Sequence, residues 1–497
     1  MRKFLLTFAA FAVAFTAFAQ TQFGFFEPVS ASYELNNVKT TVAGDGSVYV
    51  SSTYDQAFAF AGGEVAAPNF TSPCIVKYSA TGAEQWAVTF SGIAEIFDIV
   101  ADADGTLYAA GHFAAEVVCT GANGTETVIS GDASTYSALI VKISAAGEVE
   151  AVKTIATKVN DEIASKVGDP WGEGVDSPLY SMWDPIYVTP NKIQIEGDKV
   201  YVSVKYMGDV TELGWRGSYI DMYGLMYSDN YANGVFSMSK ETLDNVASVA
   251  NVLMTGVVSE AQYYAEAFNF TVNNGVVYVG FIGFGNLTLT TADAVINYEF
   301  AMDGMGTNEH AFVLATIGAE TVSKEFRVAG NDKFYIPFSL FMENVGEDIV
   351  VAGTYYGELP FNTSIVTEGA TAIFVAKLAQ DGTVKDATSF GQVYTPAVCM
   401  GATEAAVIIS ADETTYTYAA GVVETSAVSY SDIYANSIFV HIDETTVCVD
   451  STDFCPTGIE EIVSENNSGV AYNLFGQPVD ENYKGIVVKN GKKYIVK

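Results

Sequence analysis

Basic residues are scarce in this chain of 497 residues. Lysine and arginine number 23 against 59 aspartates and glutamates, which gives a formal net charge of −36. A field of that sign repels phosphate backbones, whereas nucleic-acid binding needs a positively charged surface. The composition therefore excludes nucleic acid as a ligand, and it disfavours anionic membrane surfaces and polyanionic substrates.

Long apolar runs are missing after the N-terminus. Arg2 and Lys3 precede an apolar run from Phe4 to Phe18, and Ala17-Phe18-Ala19 has the small-x-small pattern of a signal cleavage site. The run is too short for a bilayer core of about 30 Å, so a membrane anchor is the weaker alternative. We predict a signal peptide at residues 1–19 and no transmembrane span in the mature chain.

Cysteine is sparse and follows no metal-binding spacing. The number of cysteines is odd, so at least one is unpaired, and none belongs to a Cys-x-x-Cys motif. Cys448 and Cys455 are close enough in sequence to bridge after export. We interpret Cys74 as a small core residue on a strand, because free cysteines are usually buried.

Catalytic and metal-binding motifs are also missing. The three histidines, His112, His310 and His441, are isolated in sequence, and each is interpreted as structural. No phosphate loop, nucleophile elbow or dinucleotide fingerprint occurs. Asp102-Ala-Asp104-Gly105 lacks the third carboxylate and the distal glutamate of a calcium loop, so it is interpreted as a turn. We expect no cofactor, no metal and no catalytic residue.

What the sequence does contain is a β-strand pattern that occurs six times. Aromatic and β-branched residues between glycines, asparagines and aspartates are typical of strands joined by turns. The predicted second strand of each copy contains, in order, Val48-Tyr-Val, Leu107-Tyr-Ala, Val200-Tyr-Val, Val277-Tyr-Val, Ile349-Val-Val and Thr417-Tyr-Ala. The predicted third strands begin at or next to Cys74, Leu139, Val235, Phe312, Ile373 and Ile438.

The repeats predict an all-β fold. A four-stranded sheet of about 60 residues cannot cover both of its faces, so such units must stack on one another. We predict a six-bladed β-propeller of four-stranded antiparallel blades at residues 37–456. An N-terminal extension at residues 20–36, which could supply an outer strand, precedes the propeller. A small β tail follows it at residues 457–497. Two stacked β-sandwiches are the alternative.

One stretch of the repeat has a family resemblance. Cys74-Ile-Val-Lys77, the turn at Gly82, Trp86 and Phe90-Ser-Gly92 resemble the bacterial β-propeller-repeat family, and Ile373-Phe-Val-Ala-Lys377 matches the first part again. Copies three, four and six lack the tryptophan, and their lysine is absent or displaced. The resemblance implies the fold and says little about function, since propellers have many activities.

The C-terminal tail resembles another family. Tyr472-Asn-Leu-Phe-Gly476-Gln and Asn490-Gly-Lys-Lys493 are similar to the C-terminal sorting tail of the type IX secretion system of Bacteroidetes, with Pro478 where that family often has arginine. The resemblance implies export through the type IX machinery and a secreted or outer-surface location. A small β appendage without a sorting role is the alternative. Asn490-Gly491 between apolar runs predicts a two-residue hairpin turn.

Long connections are predicted on one face only. The second-to-third-strand connections are long, at about 54–73, 114–137, 207–234, 283–310 and 357–371, and the crossing at 156–190 is longer still. The insertions at 156–190 and 207–234 should lie next to each other, and long loops on a rigid scaffold often carry function. Their aromatic residues are the candidate ligand-binding residues: Trp171, Trp183, Trp215, Tyr219, Tyr223, Tyr227 and Tyr231. Mutual packing of these rings is the alternative.

These patterns favour a non-catalytic binding or adhesion protein at the cell surface or outside the cell. Exposed tryptophan and tyrosine offer rigid contact area that suits glycans or protein partners. A polysaccharide-degrading enzyme, a lyase or a glycosidase, is a second hypothesis and requires clustered carboxylates or a His–Tyr pair in one pocket. A structural component of the envelope is the third.

Overall fold

The chain is described here from a computed structural model. The described residues are 39–54, 57–60, 63–69, 71–79, 83–158, 186–217, 232–254, 268–283, 285–300, 309–328, 340–345, 347–366, 372–392, 395–400, 404–410, 416–419, 423–426, 437–442, 447–450, 471–473, 478–479, 485–489 and 492–496. They contain β-strands and one short 3-10 turn, Thr211–Leu213. The predicted signal peptide at 1–19 and the extension at 20–36 lie outside them.

The strands in chain order are β1 (Lys39–Val42), β2 (Val48–Tyr54), β3 (Phe58–Phe60), β4 (Gly63–Val65), β5 (Ser72–Tyr78), β6 (Glu84–Ala101), β7 (Leu107–Thr120), β8 (Glu126–Ser130), β9 (Thr135–Ile143), β10 (Val149–Ile155), β11 (Ile186–Glu196), β12 (Lys199–Tyr206), β13 (Ala232–Ser239), β14 (Ala247–Met254), β15 (Phe268–Asn273), β16 (Val276–Gly283), β17 (Asn286–Thr291), β18 (Val295–Glu299), β19 (His310–Ile317), β20 (Thr321–Val328), β21 (Leu340–Val345), β22 (Asp348–Tyr355), β23 (Ala372–Ala379), β24 (Val384–Gln392), β25 (Thr395–Met400), β26 (Glu404–Ser410), β27 (Tyr416–Ala419), β28 (Val423–Ser426), β29 (Ser437–Ile442), β30 (Val447–Asp450), β31 (Ala471–Asn473), β32 (Pro478–Val479), β33 (Gly485–Lys489) and β34 (Lys492–Val496).

The strands form an all-β structure in which a four-stranded antiparallel unit recurs. Units one to six are β1-β2-β5-β6, β6-β7-β9-β10, β11-β12-β13-β14, β15-β16-β19-β20, β21-β22-β23-β24 and β25-β26-β29-β30. β6 serves two units, and Gly92 marks the change of register within it. The φ of Gly92 is +117°, and a Cβ there would lie 2.5 Å from the Glu116 carbonyl oxygen, so only glycine fits.

The predicted second strands of units one to five are confirmed, whereas the prediction for unit six is wrong. In unit six the second strand is β26, which pairs with β25 and β29. Thr417 lies instead in β27, which pairs with β28 in a separate two-stranded hairpin. The prediction failed because the Tyr-Thr-Tyr-Ala sequence of this hairpin has the same alternation as a second strand, while β26 contains no tyrosine.

Several long connections are β-hairpins. Four hairpins lie in, or extend from, the connections between second and third strands: β3-β4, β7-β8, β17-β18 and β27-β28. In unit two, Thr120 of the excursion is opposite Thr89, and in unit four Leu289 is opposite Val252. These two excursions, expected as loops, therefore add strands to the outer edge of the preceding unit. An exposed edge is a site for unwanted pairing, and the hairpins cover it.

Adjacent units pack face to face in chain order. The first strands of units one to six contact one another in sequence, from β1 and β6 through β11, β15 and β21 to β25. Apolar clusters fill the space between units one and two, between units two and three, and from unit three through unit five. Burial of these strands between neighbouring sheets explains why so many of their residues are apolar on both faces.

Polar side chains bridge the first strands. The Gln194 amide donates to the Val272 carbonyl and accepts from its N–H, both at 3.1 Å, so it takes the place of a strand partner. Asn269 donates to the Leu340 carbonyl at 2.7 Å, and the Asp98 carboxylate accepts from the Ile193 N–H at 2.9 Å. From unit two to unit five, side chains of one inner strand thus satisfy backbone groups on the free edge of its neighbour.

The repeat motif itself binds neighbouring units together. Tyr49 donates to the Gly105 carbonyl at 2.7 Å, and the equivalent Tyr108 donates to the Lys240 carbonyl at 2.9 Å. Lys77 donates to the Ala145 carbonyl of unit two, and Lys142 donates to the Glu241 carbonyl of unit three, in the same turn as Lys240. The motif residues of units one and two therefore connect each of these units to the next. Lys377 of unit five pairs instead with Asp348 of its own unit.

The C-terminal strands form a sheet of their own, in the order β32-β31-β33-β34. Lys489 is opposite Lys492 in the antiparallel pair β33-β34. The hairpin predicted at Asn490-Gly491 is therefore confirmed. The sorting role of this segment stays a prediction.

Candidate functional site

The two aromatic-rich insertions begin and end next to each other, as predicted. Lys158 and Asp209 exchange backbone hydrogen bonds of 3.0 and 2.8 Å, and the Met207 N–H donates to the Tyr187 carbonyl at 2.8 Å. The Thr157 hydroxyl, which is buried, donates to the Met207 carbonyl at 2.7 Å. We call these five residues the insertion base. It fixes where both insertions leave the scaffold.

Trp215 is the candidate binding residue that the described chain includes, and it is buried. It lies in the turn that follows Asp209, with 4% of its surface exposed. Its ring stacks on Tyr206 with centroids 5.2 Å apart, and its Nε1 donates to the Ser248 hydroxyl at 2.7 Å. A Cβ on Gly234 would lie 2.4 Å from the indole, so the chain keeps glycine there.

The expectation that Trp215 presents its ring to a ligand is therefore corrected: its ring packs against the strands that carry the insertion. The sequence could not decide between exposure and packing of this ring, because burial of a loop residue depends on strands distant in the chain. The other six candidates lie outside the described residues and stay predictions: Trp171, Trp183, Tyr219, Tyr223, Tyr227 and Tyr231.

A histidine cluster lies beside the insertion base. β6 supplies Glu95 and Phe97, β7 supplies His112, β9 supplies Tyr136 and β11 supplies Thr189. His112 Nδ1 is 3.0 Å from the Thr189 hydroxyl, and its ring lies 4.5 Å from the Tyr136 ring and 4.9 Å from the Phe97 ring, centroid to centroid. Tyr136 is opposite Tyr187 where β9 and β11 pair in parallel, which connects this cluster to the insertion base.

The imidazole of His112 is neutral at physiological pH. Burial lowers its pKa from 6.5 to about 4. Its Nε2 lies 3.7 Å from a Glu95 carboxylate oxygen, too far for a hydrogen bond, and the two groups attract as ions only after His112 is protonated. The cluster therefore consists of a neutral imidazole and two aromatic rings beside the Glu95 carboxylate.

Sequence reasoning did not single out His112. Its local signal is weak: it follows the second-strand motif on β7 at the end near the long connection. The residues that make it a cluster come from three other strands, and only the pairing of those strands brings them together.

A second polar group lies next to the insertion base, where Lys205 is opposite Thr189 across β11 and β12. The Lys205 ammonium lies 5.6 Å from the centroid of the Tyr187 ring. Asn233 is opposite Lys205 across β12 and β13, and it is fully buried. Neither amide atom of Asn233 has a hydrogen-bond partner, and the same is true of the buried Ser203 hydroxyl.

The carboxylates of the Asp102–Gly105 stretch serve a turn and an ion pair. The Asp104 carboxylate accepts from the Thr106 N–H at 2.9 Å, and the Asp102 carboxylate lies 2.7 Å from the Lys240 ammonium. The interpretation as a turn is confirmed. Elsewhere in the described chain, no group of three or more histidine, cysteine, aspartate or glutamate side chains is placed to hold a metal ion.

Two cysteines are free and buried. Cys74 lies on β5 and Cys119 on β7, and burial raises the pKa of each thiol to about 12. The interpretation of Cys74 as a core residue is confirmed. The proposed bridge between Cys448 and Cys455 lies outside the described side chains.

Among the strands and turns described, no helix has the length and apolar character needed to cross a membrane.

Comparisons with known proteins give remote structural likenesses only. No protein-family model matches the chain, and no curated protein matches it. A DUF4221 family member from Bacteroides vulgatus is similar with a TM-score of 0.30 and 10% identity, over 76% of this chain and 88% of that one. A GH32 β-fructofuranosidase of Bombyx mori is similar with a TM-score of 0.28 and 10% identity, over 84% of this chain and 89% of that one. Apo AztD from Citrobacter koseri is similar with a TM-score of 0.23 and 8% identity, over 77% of this chain and 91% of that one. Likenesses at this level carry no argument about function.

Proposed function

We propose that this chain is an exported six-bladed β-propeller that binds a glycan through the face bearing the two aromatic insertions. The observation that carries the proposal is the hydrogen-bonded pairing of Lys158 with Asp209, which joins the two insertions at their base. Support for the ring comes from the six four-stranded units and from the contacts of their first strands in chain order.

Rigid positioning supports a binding role. The insertion base is fixed by backbone bonds and by the stack of Trp215 on Tyr206, so the insertions begin from defined points. Their sequences contain Trp171 and Trp183 and several tyrosines, and such rings bind sugar faces through a large apolar area with a polar edge. The neighbouring Glu95 and Tyr136 provide the polar and aromatic groups that a sugar also needs.

The binding test uses the purified mature chain on a glycan array. Trp171→Ala and Trp183→Ala should each weaken binding of a positive glycan about tenfold or more while the melting temperature stays unchanged. Trp86→Phe, far from the insertions, is the matched control and should bind like the wild type. A glycan that binds all three variants equally would contradict the proposed face, and capture of a defined protein without any glycan would replace the ligand class.

Export is the second part of the proposal. The apolar run at Phe4 to Phe18 supports a signal peptide, and the β33-β34 hairpin fits the sorting-tail resemblance at 457–497. Fusion of residues 457–497 to a periplasmic reporter in a Bacteroidetes host with an active type IX system should send the reporter to the cell surface or the medium. The same fusion in a host without that system should stay in the periplasm, and retention in both hosts would contradict the sorting role.

A polysaccharide-degrading enzyme is the second candidate, and one observation favours it. His112 and Tyr136 are in ring contact with Glu95 nearby, and this hypothesis requires such a His–Tyr pair to line one pocket. Its low pKa makes His112 a weak base at neutral pH. Release of unsaturated or reducing ends from a polysaccharide panel, abolished by His112→Gln, would establish the enzyme; a panel without turnover would remove it.

A further inference from the structure

The hairpins of units two and four lie on the outer strand of the preceding unit. Thr120 of β7 is opposite Thr89 of β6, and Leu289 of β17 is opposite Val252 of β14. In both cases the first strand of the hairpin makes this pairing, and the second strand, β8 or β18, lies outside it. The hairpin of one unit thus extends the sheet of its neighbour.

Units three and five place their connections against the same strand of the preceding unit. In unit three, Asp209 pairs with Lys158, which follows β10, the outer strand of unit two. In unit five, the Phe361 ring lies 5.2 Å, centroid to centroid, from the ring of Phe326 on β20, the outer strand of unit four. In units two to five, the connection therefore contacts the outer strand of the preceding unit or the residues that follow it.

The β3-β4 hairpin of unit one occupies the same connection, between β2 and β5. It forms a two-stranded sheet of its own and lies beside β6 without pairing with it. In a ring, the unit that precedes unit one is unit six, whose outer strand is β30. Among the described strands, β30 pairs with β29 alone, so an unpaired edge is left at each end of the row of units.

The sequence of β3 matches that of the strands that cover a neighbour. Each covering strand has two buried apolar residues two positions apart: Val117 and Cys119 on β7, and Leu287 and Leu289 on β17. β3 has Phe58 and Phe60 at the same spacing. Residues two apart share a face of a strand, so β3 carries the apolar face that a covering strand buries.

The backbone of β3 also has the direction that such a pairing requires. The pair that closes a two-residue hairpin is hydrogen-bonded, and hydrogen-bonded and other pairs then alternate. Phe60 is opposite Gly63 and Ala59 is opposite Glu64, so the N–H and C=O of Ala59 point away from β4. An edge of this kind is a template for pairing with another strand.

We propose that β3 adds antiparallel to the free edge of β30, so that the β3-β4 hairpin joins unit one to unit six. This rests on the six-unit ring of the proposed function and supplies the contact that closes it. β4 is then the outermost strand, as β8 and β18 are in their sheets. The two edges belong to one chain, so pairing within the molecule has a higher effective concentration than pairing between molecules.

A proline in β3 tests the pairing by hydrogen exchange in the purified mature chain. Ala59→Pro removes the N–H directed at β30 and keeps the hydrogen bonds between β3 and β4. The amides of residues 447–450 should exchange at least tenfold faster than in the wild type, while those of β22 in unit five stay unchanged. Unchanged exchange at residues 447–450 would overturn the pairing.

Asn297→Pro is the matched control. Asn297 is opposite Thr288 in the β17-β18 hairpin, two pairs from the hydrogen-bonded pair of Leu287 and Tyr298 by the same alternation as Leu289 and Ile296, so its N–H points to the free side of β18. Proline is tolerated on an edge strand whose N–H faces solvent. Residues 447–450 should therefore exchange in this variant as they do in the wild type.

Chemical cross-linking tests the same contact without a proline. Glu64→Lys on β4 and Asp450→Lys on β30 together give a lysine-reactive reagent two groups, which should be linked within one molecule. A link found only in dimers would assign the pairing to a second copy and overturn the closure, and so would a hairpin linked only to its own unit.

A second pair of lysines separates failure of the hairpin from failure of the ring. Lys39 of β1 and Thr395→Lys of β25 lie on the first strands of units one and six. A link between these two, without the link from β4 to β30, would keep the ring and overturn the pairing of the hairpin. Absence of both links would overturn the ring of the proposed function as well.

Discussion

Trp86 and Ala145 belong to neighbouring units and are joined by a hydrogen bond of 3.0 Å from the indole Nε1 to the carbonyl oxygen. Lys77 donates to the same carbonyl, also at 3.0 Å, and both donors are buried. These are the two residues that define the repeat resemblance. In unit one the motif therefore connects the unit to the next one.

The shared acceptor lies in an exposed turn, which predicts independent costs for the two donors. Trp86→Phe and Lys77→Met each remove one hydrogen bond to the Ala145 carbonyl, and each should cost about 1 kcal/mol of unfolding free energy. Ala145 is exposed, so water replaces the lost donors and the cost of the double variant should equal the sum of the two single costs. Denaturant unfolding measures all three, with Lys153→Met as a control for the loss of one lysine ion pair. A double-variant cost that exceeds the sum by about 1 kcal/mol or more would show that water does not reach the carbonyl.

The sequence was sufficient for the features that depend on local pattern. Alternation and turn residues located the second and third strands of units one to five, the Asp102–Gly105 turn and the C-terminal hairpin. The adjacency of the two insertions followed from topology, because alternate connections of an antiparallel unit leave from the same end.

Features made by distant segments could not be predicted. The burial of Trp215 depends on Tyr206 and Ser248, and the His112 cluster depends on four strands. Hairpins in the long connections were missed because their short strands resemble loops in composition. The Thr417 error has the same origin, since a local pattern cannot show which strand a segment pairs with.

The burial of Trp215 predicts a variant that affects stability and leaves binding unchanged. Trp215→Phe keeps a stacking ring on Tyr206 and removes the hydrogen bond to Ser248, which should lower the unfolding free energy by about 1–2 kcal/mol. Trp215→Ala should cost about 3–5 kcal/mol because it leaves a cavity. Affinity for any glycan found on the array should be unchanged in the phenylalanine variant at a temperature where it is folded. A selective loss of affinity would return Trp215 to the ligand-binding set.

Replacement of Asp98 by asparagine should raise the stability of the fold at neutral pH. Burial raises the pKa of its carboxyl from 3.8 to about 6, so the folded state holds this proton more tightly than the unfolded state. Stability from this group is present below pH 4 and is lost as the pH rises to 6. Near pH 4, Asp98→Asn should therefore have the same melting temperature as the wild type. At pH 7 it should melt at a higher temperature, and its unfolding free energy should be about 2 kcal/mol larger.

Asp45→Asn is a control of opposite sign for this prediction. Hydrogen bonds from Ser47 lower the pKa of Asp45, so its contribution is present at neutral pH and is lost on acidification. A difference between Asp98→Asn and the wild type that does not vary from pH 4 to pH 7 would show that Asp98 titrates normally.

The contribution of His112 to stability should depend on pH in the opposite direction to that of Asp98. Burial lowers its pKa from 6.5 to about 4, so the unfolded state takes up the proton first and stability falls as the pH drops from 6.5 to 4. His112→Gln should match the wild type within about 1 kcal/mol at pH 7.5 and exceed it by about 3 kcal/mol at pH 4. Thermal melts of both proteins across this range measure the difference. A difference that is equal at both pH values would show that folding does not shift the pKa of His112.

The β17-β18 hairpin should prevent association of the protein through the edge of unit three. β17 covers β14, the outer strand of unit three, and its Leu289 is buried opposite Val252. Leu289→Asp should detach the hairpin, because a carboxylate in that position has no partner. The uncovered edge of β14 should then pair between molecules and give dimers and larger species that increase with concentration in light scattering. Val295→Asp, at a position of β18 that is 67% exposed, is the matched control and should scatter light like the parent. A Leu289→Asp protein that unfolds without associating, or that stays folded and associates no more than the parent, would show that the hairpin is not what protects this edge.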